Sequence, residues 1–423
     1  MAGKTISEKI LSTKAGRDAR AGDLVICEVD YAMATDGSGP MAIDYFEQMG
    51  GSKVFDPRRI FFVMDHYSSS AHQTTIALQQ EMRDFAREHG IQVHDMGEGI
   101  SHQLMLETGR TRPGGLLIGA DSHSVTGGAL NVFATGVGSS DLAATMICGR
   151  IWLKVPQTIK VILNGSLAPG VYAKDVALAL AGQLGADGAT YQTLEFQGPG
   201  AAAMEIDDRI VLSNLSVEMG AKAGIFPADA KTFAYLKQRT TEIFDPVEPD
   251  TDARYVREII LDISAIGPRI ARPHAVDNAA PLAEALGTPI QMVYIGTCTG
   301  GRVRDFHQAL AILEGAGHIA PGVQLVVTPA SREVETELRQ DGTLEKLRRL
   351  GATVTAPGCG SCCGTAGPIP ADGVNVLSTA NRNFKARMGN ANASIYLASP
   401  AACAAAAVTG RITDPREMIS SVH

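Results

Sequence analysis

The stretch Ala356–Gly364, Ala-Pro-Gly-Cys-Gly-Ser-Cys-Cys-Gly, constrains this chain more than any other. It gathers three of the seven cysteines, and a fourth, Cys298, stands well upstream in Ile-Gly-Thr-Cys-Thr-Gly-Gly-Arg. Each cysteine turn follows a strand-like run, Pro289–Ile295 before Cys298 and Thr353–Thr355 before Cys359. In open α/β sheets ligands collect where parallel strands end, so the two turns are expected to face one cavity. Glycines around each sulfur keep bulk away and let backbone amides approach it. Thiolates from Cys298, Cys359 and Cys362 suit a four-iron cluster with one iron left open, because four protein ligands would close every position. Tetrahedral zinc on the Cys359-x-x-Cys362 pair with two further ligands is equally compatible with the spacing. Inert buried thiols fit nearly as well.

Which class of protein surrounds these turns follows from composition. At 423 residues the chain has room for two to four domains, and 45% hydrophobic with 19% charged residues suits a soluble α/β protein. The net charge of −8 argues against nucleic acid as a partner. The opening MAGKTISEKILSTK lacks the apolar core of a signal peptide. No run approaches the roughly 20 apolar residues that span a bilayer. A reducing cytoplasm is the expected compartment, which disfavours a disulfide.

The first 125 residues place histidines repeatedly at strand ends. Arg59–Met64 reads as a buried strand and runs into Asp65-His66; Ile91–Met96 leads to a glycine-rich turn and His102. Leu116–Gly119 ends in Asp121-Ser122-His123. A lone histidine at such a place is usually structural, but three with carboxylates nearby point to a site for proton transfer. The segment Thr5–Ser12 and an amphipathic stretch within Thr74–His89, stopped by Gly90, read as helices, and Ala34–Pro40 as a loop. A second unit is expected from Thr158, with a helix over Ala173–Leu184 and Glu218 in a short helix. Gly267–Pro281, carrying three prolines, reads as an interdomain linker before a third unit. Ala401–Val408 reads as a buried helix, and Cys27, Cys148 and Cys403 as buried thiols.

With these residues together the chain resembles the aconitase superfamily, and within it the isopropylmalate dehydratase and homoaconitase large subunits. The resemblance rests on MDH (64–66), GISHQ (99–103), GADSHSVTGGA (119–129), YAKDVALAL (172–180), NLSVEMGAKAGIFP (214–227), IGTCTGGR (295–302), PGCGSC (357–362) and NRNFKAR (381–387). It implies an α/β fold of three α/β/α domains, 1–155, 156–285 and 286–423, around a central cluster cleft. It further implies that Cys298, Cys359 and Cys362, rather than Cys363, hold a [4Fe–4S] cluster whose open iron binds substrate hydroxyl and carboxylate. The pair Asp65–His66 would protonate the leaving hydroxyl, His102 would pair with Asp121 and His123 with Glu218. Asn214 and Asn381 would border the cluster, and Arg382 and Arg387 would clamp carboxylates, where a two-pronged donor outperforms lysine.

The reaction implied is reversible dehydration and rehydration of a 2-hydroxy di- or tricarboxylic acid, isopropylmalate first. Homoaconitate or another alkylated malate is the alternative, with a non-catalytic RNA-binding or zinc-stabilised subunit as readings from other classes. Single-chain relatives add a mobile domain that supplies a catalytic serine, so a separately encoded small subunit is expected here. Two positions depart from the family pattern: Gly300 where an asparagine is usual after the first cysteine, and Pro40 where many relatives carry glutamine.

Overall fold

Fully apolar strands bracketed by amphipathic helices build the fold. In the computed structural model, which describes residues 3–67 and 72–419, they fall into two compact units. The first comprises 1–95, 101–165 and 187–262; the second comprises 96–100, 166–186 and 263–423.

Strands of the first unit begin with β1 (Leu24–Glu28), β2 (Tyr31–Thr35), β3 (Ile60–Val63), β4 (Gln92–His94), β5 (Leu116–Gly119), β6 (Phe133–Gly136) and β7 (Arg150–Lys154). Strands β2 to β6 form an all-parallel sheet in the order β4-β3-β2-β5-β6. Alternate side chains on it enter different cores. Ala32, Ala34, Ile60, Phe62 and Ile118 pack with Ile10, Phe46, Met82 and Met146 of four helices. Met33, Phe61, Val63 and Leu117 pack with Leu104 and Met105 of the helix Ser101–Glu107. Burial on both faces is why β3 reads Ile-Phe-Phe-Val without polar alternation. β1 and β7 form a separate antiparallel ribbon. A four-stranded parallel sheet, β10-β9-β8-β11, follows from β8 (Thr158–Asn164), β9 (Thr193–Gln197), β10 (Ala223–Ile225) and β11 (Arg257–Asp262).

The second unit holds β12 (Arg269–Ala271), β13 (Ala279–Pro281), β14 (Met292–Ile295), β15 (Gln324–Val327), β16 (Thr353–Val354), β17 (Asn375–Ser378) and β18 (Ser394–Leu397). Their order is β13-β12-β18-β17-β14-β15-β16, parallel except at the β12–β13 and β12–β18 pairs. The prolines of 267–281 therefore do not make a free linker: this segment forms the antiparallel edge of the sheet, where a missing N–H is tolerated.

Topology positions the functional turns. β14 lies between β15 and β17, so the chain leaves its carboxyl end for one side and later returns on the other. Crevices at such reversals receive ligands in α/β sheets. β2, between β3 and β5, marks the equivalent point in the first unit. The helices Ile6–Ala15, with a Thr5/Glu8 capping box, Gln73–His89, ended by left-handed Gly90, Ala173–Leu184 and Pro400–Thr409 lie where the sequence places them. Ala34–Pro40 is only partly a loop, since Ala34 and Thr35 end β2 and a helix starts at Gly39. Among the described residues no helix is long and apolar enough to cross a membrane.

Candidate active site and cysteine corner

At the carboxyl edge of the five-stranded sheet, strand geometry delivers one acidic residue after each of β2, β3 and β5. Asp65 and His66 follow β3 directly; Asp121 and His123 follow β5, and His102 starts the helix Ser101–Glu107. The Asp65 carboxylate meets His66 Nδ1 at 2.7 Å and accepts the Ser101 N–H at 2.7 Å. Asp121 lies between two imidazoles, 2.9 Å from His102 Nε2 and 3.4 Å from His66 Nε2, and also accepts the His123 N–H at 2.8 Å. His123 Nε2 meets Glu218 at 2.7 Å, with Glu218 held in the turn Ser216–Met219. Below His123, Thr126 donates to its carbonyl and accepts from the fully buried Asn214 amide at 2.8 Å. All three imidazole–carboxylate pairs expected from the sequence are thus present.

Electrostatics follow from these contacts. Burial alone would push the His66 imidazole down, but the charges and hydrogen bonds of Asp65 and Asp121 hold its pKa well above the ordinary 6.5. Burial likewise opposes ionisation of Asp65 and Asp121, and their imidazole partners win, so both carboxyls stay below the ordinary 3.8. The His66 side chain keeps 23% of its surface accessible while Asp65 has none, so the imidazole can be reached from outside and its anchor cannot. An oriented, accessible imidazole is suited to proton transfer.

The sequence missed the group beneath it. Asp36, at the end of β2, accepts the N–H groups of His66 (2.9 Å) and Tyr67 (3.1 Å) and the Gln79 amide (2.8 Å). Burial, then the nearby Asp65 charge, raises its pKa. Its signal, an aspartate in Ala34–Pro40, was hidden because the segment reads as a turn.

In the second unit the cysteine turns meet at the β14–β17 reversal. Cys298 follows β14, Cys359 and Cys362 follow β16, and Asn381 follows β17. The Asn381 amide donates to Cys298 Sγ at 3.1 Å, and its carbonyl oxygen accepts from Cys362 Sγ at 3.6 Å. Cys359 packs in one small cluster with Cys298, Ile100 and Ala330, and its carbonyl accepts from Tyr294. Arg387 donates to Cys362 Sγ at 3.4 Å and lies over the Phe384 ring. Burial would weaken its charge, but the surrounding thiols raise its pKa instead. Arg382 is half-buried in the same loop. Cys363 Sγ meets Thr365 Oγ1 at 2.7 Å.

The backbone around these sulfurs is tight. Thr297 sits at φ 73°, a left-handed conformation that is strained for a β-branched residue and typical of built sites. A side chain at Gly360 would strike the Tyr294 hydroxyl, and one at Gly300 would strike Thr379. Lys174 lies in YAKDVALAL (172–180) and Thr379 just before NRNFKAR (381–387), but neither has a role readable from the sequence; Thr379 Oγ1 bonds both the N–H and the carbonyl of Gly296 at 2.9 Å. Of the remaining cysteines Cys27 and Cys403 are buried, and burial raises the Cys27 thiol to about 11. Cys148, expected to be buried, is exposed, because it ends its helix at Gly149.

Donor chemistry fits an iron–sulfur group. Three free cysteines gather at the sheet edge: Asn381 links Cys298 and Cys362, Cys359 packs against Cys298, and the Arg387 guanidinium faces Cys362.

Comparison with known proteins agrees with this geometry. Residues 8–410 match the Aconitase family (aconitate hydratase). A relative from Thermotoga maritima, a 3-isopropylmalate dehydratase large subunit 1, is 48% identical over 99% of this chain and 100% of its own. One of the same description from Methanopyrus kandleri is 45% identical over 98% and 99%. The homoaconitase large subunit of Thermus thermophilus is 42% identical over 98% of each chain. The holo-form crystal structure of Thermococcus kodakaraensis aconitase X aligns with a TM-score of 0.52 over 85% of this chain and 84% of that one, at 12% identity, and shares the fold. Matched over nearly its whole length, the chain belongs to the aconitase family.

Proposed function

We propose that this chain is the large subunit of an iron–sulfur hydro-lyase that moves a hydroxyl between adjacent carbons of a 2-hydroxy diacid, 3-isopropylmalate first. Homoaconitate-type tricarboxylates are the alternative, since relatives of both descriptions are similar over the full chain. The observation that carries the reading is the bridge by Asn381 between Cys298 and Cys362 at the β14–β17 reversal. Cys298, Cys359 and Cys362 would hold a [4Fe–4S] cluster; the contact of Cys363 with Thr365 supports Cys362 over Cys363 as the third ligand. When bound, the cluster supplies a Lewis acid at its open iron that weakens the carbon–oxygen bond.

This chain's own residues handle protons and carboxylates. His66, protonated and anchored by Asp65, would donate a proton from Nε2 to the departing hydroxyl. Asp121 would hold His102 and steady His66, and Glu218 would fix the tautomer of His123. Arg382 and Arg387 would bind substrate carboxylates through planar paired donors, and Asn214 would hold Thr126 and the turn that carries His123. The base that removes the carbon-bound proton is assigned to a serine of a separate small subunit. Seven free thiols suit a reducing cytoplasm.

Anaerobic reconstitution of the chain, followed by assay with its small subunit on a panel of 2-hydroxy diacids, tests the reading. About four irons with matching sulfide per chain and turnover of one diacid are expected; one zinc with no sulfide would sink it. The division into 1–155, 156–285 and 286–423 is likewise proposed. The β2–β6 sheet lies in the first range, β8–β11 in the second and β14–β18 in the third, whose sheet also takes β12 and β13 from the end of the second range. Limited proteolysis should cut near 155 and 285, and cleavage only elsewhere would refute it.

A further inference from the structure

Lys174, second residue of the helix Ala173–Leu184, is 2% exposed. Lysine is almost never buried so deeply, because taking an ammonium out of water is costly without compensation. Here its ammonium donates to Thr299 Oγ1 at 2.9 Å and to the carbonyls of Thr379 and Ala380 at 2.8 Å each. Three donors meet three acceptors, and all three acceptors are neutral oxygens. Burial lowers the pKa to about 8, which leaves the group charged at neutral pH. A methionine would fill the same space without that cost, so packing does not explain the residue.

The acceptors do. Thr299 adjoins Cys298 after β14; Thr379 and Ala380 lead into Asn381 after β17, and Asn381 contacts Cys298 and Cys362. We propose that Lys174 is a positioning residue for the iron–sulfur site, clamping the Cys298 turn to the Asn381 turn while its charge offsets the negative charge of the thiolates. This rests on the cluster reading above. Buried groups of this kind, one bond removed from the ligands, set ligand orientation and cluster potential.

The test compares anaerobically reconstituted wild-type chain with Lys174→Met and Lys174→Gln. Readouts are iron and sulfide content, iron release to a chelator, and reduction potential by titration followed with electron paramagnetic resonance. Loss of a nearby positive charge favours the oxidised cluster, so the potential should move negative in both variants. Iron release should accelerate about ten- to a hundredfold. Loaded variants with wild-type potential and release rate overturn the proposal. So does a lowered melting temperature of the apo chain with both cluster readouts unchanged, which makes Lys174 an ordinary core group. If neither lysine variant folds, Thr299→Val keeps the charge and deletes one acceptor; faster release supports the clamp and wild-type release refutes it. A wild-type chain that takes up no iron or sulfide removes instead the cluster reading itself.

Discussion

The carboxyl edges of the β2–β6 and β14–β18 sheets are built by the same rule and reach different electrostatic states. At the first, folding brings together carboxylates and imidazoles, Asp65 and Asp121 with His66, Asp121 with His102, and Glu218 with His123. At the second, folding brings together three sulfurs, and the groups facing them are an amide, a guanidinium and, behind these, an ammonium. The carboxylates and imidazoles satisfy one another within the chain. Clustered cysteine sulfurs beside cationic groups are the setting in which iron–sulfur groups are held.

Separating the two edges gives the largest effect. Cys359→Ser should abolish the brown absorbance of the reconstituted chain, while the apo chain retains the circular dichroism of the wild type. An unchanged absorbance would strike Cys359 from the ligand set. His66→Ala should do the reverse: full iron and sulfide content, but turnover with the small subunit lower by about 10²- to 10⁴-fold. Wild-type turnover would remove His66 from the chemistry. Arg387→Lys should have a smaller effect than either, lowering kcat/KM by about ten- to a hundredfold through the lost two-pronged contact, a loss of about 1.5–3 kcal/mol. Retained kcat/KM would place the carboxylate clamp elsewhere.

Charge pairing at the first edge also predicts a pH signature. His66 has a raised folded pKa, so its contribution to stability is complete below its ordinary 6.5 and is lost as pH rises through the folded value. Asp65 and Asp121 have lowered folded values, so theirs is complete above 3.8 and is lost as pH falls further. The melting-temperature gap between apo wild type and apo His66→Ala should be widest between these limits and should shrink under alkaline conditions. A gap that widens with pH would mean that His66 is neutral in the fold.

Much of this was readable from residue order. β3, β5, β8 and β18 announce themselves as short apolar runs, and the cysteine turns and paired histidines sit at strand ends, where α/β topology displays them. What stayed hidden was central and plain in composition. β2 reads Tyr-Ala-Met-Ala-Thr, with small residues of low strand preference, yet it is the middle strand because both its neighbours cover it. Lys174 and Asp36 were invisible for a related reason. Each acts on backbone and hydroxyl groups brought close only by tertiary structure, so no local spacing records it.

The smallest effect concerns Gly300, where the family resemblance leads one to expect asparagine. A Cβ there would lie 2.3 Å from Thr379 Cβ and 2.4 Å from its hydroxyl. That hydroxyl is fixed by two bonds to Gly296, so it cannot swing aside without loosening the end of β14. Gly300→Ala should therefore cost about 1–3 kcal/mol, the usual range for overpacking, read as a lower melting temperature of the apo chain. In a Thr379→Gly background the same change should cost less, because residues in contact couple. Additive costs would mean that the loop after Cys298 already yields. The departure at this position would then be chemical, an amide withheld from the cysteine corner, rather than steric.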